Sequence, residues 1–223
     1  MKKFKLTSEF IVDISGVKLF RIKALIEFGN VKAGDLGGYI EKEENLSHMG
    51  DAWVSDDARI SGDAQVFGDA WVFGDARVFG NARVFGNAWV SGDTRVSGDT
   101  RVFGDARVSG NARVSGNARV FGDAWVFGDA RVSGNARVSG DAQVSGDARV
   151  SGDKDYAYAH GFGSCNRTTT FFRLKDGDVG VRCGCFYGTL AQFRDKVCET
   201  HGETKKAQEY LMLADLMEIR FKN

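Results

Sequence analysis

The residues best suited to chemistry in this 223-residue chain are four cysteines and three histidines, and their spacing limits what they could do. Cys165, Cys183, Cys185 and Cys198 all fall within the last 60 residues. On an extended strand, Cys183-Gly184-Cys185 would present both thiols on one face. With Cys165, Cys198 and a histidine such a pair could ligate zinc, although C-x-C is a weaker pattern than paired C-x-x-C spacing. Buried reduced thiols and a nucleophilic cysteine are the other two readings. A second cluster, Gly161-Phe162-Gly163-Ser164 followed by Arg167 and Thr168, offers backbone N–H groups, hydroxyls and a guanidinium that could cradle an anion. A glycine turn leading into a threonine-rich strand is the plainer alternative. Gly163, Ser164, Arg167, Thr168, Cys183, Cys185 and Tyr187 are therefore the candidate binding residues. His48, His160 and His201 are scattered. No catalytic constellation, metal site or cofactor is expected from these residues.

Composition narrows the classes of partner. Thirty basic residues balance thirty acidic ones, which disfavours nucleic acid as a partner. The 29 glycines come with no proline, so the chain is not collagen-like. No apolar run approaches the ~20 residues of a membrane span, and MKKFKLTSEF has no signal-peptide core. Few, locally placed cysteines suggest reduced thiols and a cytoplasmic location.

The element that positions everything else is a repeat. From residue 51 to 153 the sequence has a period of six, with consensus G-[DN]-A-[RWQ]-V-[FS]. An aliphatic residue stands at Val54, Ile60, Val66 and every sixth position to Val150, making 17 hexads. Alternation places Ala and Val inward and Arg or Trp, then Phe or Ser, outward, with Gly-Asp or Gly-Asn at each corner. Thr94 and Thr100 replace the inward Ala. One hexad cannot bury its valine alone, so it must stack on copies of itself.

The pattern resembles the hexapeptide repeat of left-handed parallel β-helices, known from acyltransferases and γ-type carbonic anhydrases. With GDLGGYIEKEENLS (34–47) in front of the hexads, it also resembles bacterial and prophage β-helix proteins that mostly lack an assigned activity. The resemblance implies three hexads per triangular coil, hence about 5.7 coils and a prism roughly 27 Å long at ~4.8 Å per coil. Acyltransferases of this kind use a coil-borne histidine, and residues 51–153 contain none; His48 is the nearest.

Sorting outward residues by 18 then gives three unlike faces. One carries Trp53, Trp71, Trp89, Arg107, Trp125 and Gln143. The second carries an arginine column at 59, 77, 95, 113, 131 and 149, next to a serine column broken by Phe79. The third ends in Phe67, Phe85, Phe103 and Phe121. These phenylalanines and Trp71, Trp89 and Trp125 flank one corner, an aromatic edge too apolar to be left bare on a monomer. It could be covered by the C-terminal domain, be satisfied by stacking along its own column, or form a homo-oligomeric or foreign-protein interface. The arginine column could follow a polyanion or form ion pairs with corner acids such as Asp75 and Asp93.

Around the rod, residues 1–33 read as a β-hairpin cap and 34–153 as the β-helix, with two extra residues bulging near His48 and Met49. Residues 154–223 read as a small α+β domain: strands around a Lys175-Asp176-Gly177-Asp178 turn, a helix opened by Thr189 and ended by Gly202, a second helix from Thr204, and a closing strand at Ile219–Phe221. The fold expected is thus mainly β. The function expected is a non-catalytic scaffold that self-associates and presents a C-terminal binding domain to a protein partner, with a phage-encoded inhibitor of a host protein as one form. The alternative is a hexapeptide-type acyltransferase or a protein binding a small anion such as a nucleotide. A rod cut after Ser151 is expected to fold, because each coil needs only its neighbour.

Overall fold

The computed structural model describes residues 2–163 and 167–222. Strands β1 (Phe4–Val12), β2 (Lys18–Ala24) and β3 (Leu36–Ile40) precede seventeen two-residue rungs, β4 (Trp53–Val54) to β20 (Arg149–Val150). Each rung from β4 to β17 pairs in parallel with the rung 18 residues on, as in Arg95↔Arg113, Trp89↔Arg107 and Arg101↔Arg119. Three hexads therefore make one coil, and the rungs sort into three sheets around a three-sided solenoid of about six coils. Hydrogen bonds from Arg95 N to Ala112 O (3.0 Å) and from Ser97 N to Val114 O (2.9 Å) are typical of the stack.

The inward columns form the core. The valines from Val54 to Val144 and the alanines between them are fully buried, and each valine packs against those of the coils above and below. Thr94 and Thr100 sit inside at alanine positions, where their hydroxyls donate to the carbonyls of Ser91 and Ser97. A buried hydroxyl is tolerated when it is bonded in this way. The corners need glycine for two reasons. Gly104 has φ +73°, and a Cβ there would lie 3.0 Å from Gly122 N in the next coil. Asp56 takes this backbone conformation at φ 54°, and its carboxylate accepts from Gly74 N at 3.0 Å.

The first coil carries the irregularity. Ile40 pairs with Ile60 and Leu46 with Val66, both 20 apart, whereas Val54 pairs with Val72 at 18. Two residues are thus extruded between Leu46 and Val54, and Met49 is 79% exposed there. β1 and β2 form an antiparallel hairpin that joins β3 at the end of one solenoid sheet. Phe4 and Ile22 close the core from above.

At the other end β21 (Tyr156–Phe162), β22 (Arg167–Arg173), β23 (Val179–Cys183) and β24 (Phe186–Thr189) form an antiparallel sheet. Alternation along β22 splits its side chains: Phe172 joins the solenoid core, while Phe171 packs with helices α1 (Leu190–His201) and α2 (Lys205–Phe221). Thr189 caps α1 through a reciprocal capping box with Gln192, and Gly202 closes it at φ 55°. The closing strand expected at Ile219–Phe221 is instead the last turn of α2. The buried stripe Ala207, Tyr210, Ala214, Met217 and Phe221 keeps helical spacing to its end, so burying Phe221 requires the helix to continue.

Candidate functional site

The sheet assigns the C-terminal candidates to different surfaces. Cross-strand register puts Tyr158, Thr170, Arg182 and Tyr187 in one row, on the face toward the solenoid. Tyr187 stacks on Phe172 and sets its hydroxyl over Gly146, as Tyr158 does over Gly140. Both tyrosines thus cover corner glycines near the end of the solenoid. Thr168 shares a 2.9 Å hydrogen bond with His160, whose Nδ1 lies 3.6 Å from Asp141.

Cys183 points to the other face. Its sulfur lies 3.2 Å from Thr169 Oγ1 and 3.8 Å from the Tyr210 hydroxyl. Cys185 does not share that face, contrary to the strand reading of C-x-C. Cys183 pairs with Phe186, so Gly184 and Cys185 form the two-residue turn of the β23–β24 hairpin, and Cys185 is exposed. Among the described residues no three His, Cys, Asp or Glu side chains gather as metal ligands would. Ser164 and Cys165 lie outside the described residues.

Gly163 has a packing role. At φ +68°, a Cβ there would come within 1.9 Å of the Tyr210 ring. Its N–H does meet an anion, but an internal one: Glu209 Oε2 accepts it at 2.8 Å. Arg167 is exposed beside Gly184. The six candidates among the described residues thus do not converge on one cavity.

His48 is also committed. Its Nδ1 accepts from Lys3 N–H at 3.1 Å, its Nε2 lies 2.8 Å from Glu43, and its ring stacks on Phe4. With both nitrogens engaged it is placed to fix the N-terminal cap.

The aromatic columns are organised lengthwise. Phe67, Phe85, Phe103 and Phe121 form a stack with centroids 4.8, 4.9 and 5.1 Å apart and planes within 4°. The tryptophans pair elsewhere: Trp53 is buried under Phe28, Trp89 meets Phe73 edge-on and Arg107 face-on, and Trp125 packs on Phe127. Among the described residues, no ring or cation contact joins the C-terminal domain to the phenylalanine column. That domain sits at the solenoid end, and its Arg182 reaches Phe127 at 5.4 Å.

Arginines 77 to 149 line a shallow groove of about 620 Å³ with Asp75, Asp93, Asp129 and Asp147. The expected ladder of ion pairs is not formed. Among the described residues no ion pair within 4 Å joins these arginines to a carboxylate. Arg149 instead donates to the carbonyls of Asp129, Asp147 and Ala148. Of the groove's acids, Asp129 accepts from Asn111 at 3.1 Å, and at the other two corners Asn87 donates to Asp105 at 2.9 Å and Asn81 to Asp99 at 2.8 Å.

Two groups that hold the ends gave no signal in the hexad pattern. Lys3, 2% exposed, donates from Nζ to Gly50 O (3.0 Å) and Ala52 O (2.7 Å) and lies over the Phe28 ring. Burial pulls its pKa down to about 8, against the opposing attraction of Asp51 and Asp69. Asp155 clamps the junction by accepting from Ser151 N, Ser151 Oγ and Gly152 N. Burial works against its charge, but these hydrogen bonds and nearby Arg173 prevail and hold it below the usual carboxylate range.

The comparisons agree with the coils. A family model described as the YdcK beta solenoid repeat matches residues 76–92, 100–115, 106–118, 112–128, 130–143 and 142–153. All six segments fall within the repeat. No curated protein matches the chain.

Proposed function

We propose that this chain is a non-catalytic interaction rod: a solenoid that self-associates side by side and carries a distinct α+β fold at one end. The phenylalanine stack carries the reading. Four parallel rings, half-buried, run up one side of a solenoid whose two ends are closed, so the long sides are the surfaces left for association. A rod of near-identical coils gives a partner several equivalent registers, so unique recognition falls to the C-terminal domain. An inhibitor of a host protein, encoded by a phage and acting in the cytoplasm, is the form suggested by the likeness to prophage β-helix proteins.

Sedimentation of Phe85→Ser/Phe103→Ser tests this. Ser139 stands in the same column, so the fold accepts serine there. The double variant is expected to sediment at lower mass with unchanged β-type circular dichroism. A wild-type chain that is already monomeric at micromolar concentration would remove the proposal.

A further inference from the structure

The serine column of the second face has one exception, and it lies where the N-terminal hairpin closes a cleft. Ser61, Ser97, Ser115, Ser133 and Ser151 hold that column, but Phe79 interrupts it. Phe79 is 40% exposed. It lines a cleft of about 430 Å³ whose other wall is the hairpin tip, Ile14, Val17 and Leu19. That volume is in the range of small-ligand sites.

Arg59, Arg77 and Arg95 also line it, together with the carboxylates of Asp13 and Glu41. They stand on adjacent rungs in register, hence ~4.8 Å apart. Among the described residues none of the three guanidinium groups makes a hydrogen bond or ion pair with the protein. The two carboxylates of the cleft are already engaged. Asp13 accepts from Ser15 N (2.8 Å) and Val17 N (2.9 Å), and Glu41 accepts from Gly62 N (2.6 Å). Asp75 and Asp93 line the neighbouring groove beside Arg77 and Arg95.

We propose that this cleft binds a nucleoside phosphate. The base lies against Phe79 and the apolar hairpin wall, and the phosphates take hydrogen bonds from Arg59, Arg77 and Arg95. A flat exposed ring suits a planar base, because every base has a face to stack. Three unpaired guanidiniums in a row suit a ligand with several negative charges rather than a single carboxylate. The site is independent of self-association through the phenylalanine stack.

Calorimetric titration of the full chain with ADP, adenosine and pyrophosphate tests it. The variants are conservative for the fold: Phe79→Ser restores the residue of its column, and Arg77→Gln uses a residue found outward at Gln65 and Gln143. ADP is expected to bind, with adenosine and pyrophosphate each weaker by about tenfold or more. Phe79→Ser and Arg77→Gln should each weaken ADP by about tenfold, and Arg131→Gln, on the same column beyond the hairpin, should leave it unchanged. No binding of ADP at millimolar concentration would overturn the proposal. So would pyrophosphate binding as tightly as ADP, or Arg131→Gln weakening ADP as much as Arg77→Gln, since either would mean attraction by the arginine column alone.

Discussion

At the residue scale, the positions that matter most for the ends are those where a charge is held out of water. Lys3 places an ammonium over the open coil to satisfy two carbonyls that have no coil above them. With the folded pKa near 8 and the ordinary value at 10.5, the unfolded chain binds more protons between those values. Stability should therefore rise with pH across that window. Replacing Lys3 by Met removes this titration, so denaturation of the two proteins at pH 7.5 and 10 isolates it. Wild type should gain on the order of 2 kcal/mol relative to Lys3→Met over the interval. Equal pH dependence in both proteins would show that the amine is not buried in solution. None of this was legible beforehand: a lysine in MKKFK reads as solvated until the hairpin carries it over Gly50 and Ala52.

At the element scale, the unit is a corner plus a rung, and its glycine has two duties that a test can separate. Gly104→Ala puts a Cβ on a left-handed backbone, which costs about 1–2 kcal/mol, and drives it against Gly122 N. Gly152 has neither a positive φ nor an atom within 4 Å of the added carbon. Urea midpoints should fall clearly for Gly104→Ala and stay within about 0.5 kcal/mol for Gly152→Ala. Equal effects would mean the corners are looser than the stack requires. The elements were largely legible because each has its own period: six for the rungs, two for β22, 3.6 for the helices. The tail was misread because Ile219-Arg220-Phe221 alternates over too short a span to reveal that Phe221 continues the stripe of Ala214 and Met217. The cysteine pair was misread for a similar reason, since spacing alone does not show that Gly184 turns the chain. Phe79 was visible as a break in the serine column, but its cleft was not, because no pattern links residues 13–19 to that rung.

At the scale of the whole molecule, a parallel solenoid has two raw ends, each with unpaired rung backbone and an exposed apolar core, and this chain closes them by different means. One is covered by the hairpin and Lys3. The other is covered by a sheet whose Phe172 and Tyr156 complete the core, while Thr170 Oγ1 accepts the Gln143 N–H at 2.9 Å. The contact changes what is expected of a rod cut after Ser151. Coils need only their neighbours, so such a chain should keep its β-type circular dichroism, but its last coil would present Val144 and Val150 bare beside unpaired Gln143 N–H. Exposed parallel rungs are templates for another copy, so the cut rod should associate through its open end. Light scattering should show mass rising with concentration for the cut rod beyond that of the full chain, and Phe85→Ser/Phe103→Ser should not suppress the increase. A cut rod that matches the full chain in mass at every concentration would mean that the C-terminal sheet is not what closes that end. Suppression by the two serines would place the new contact on the phenylalanine stack instead.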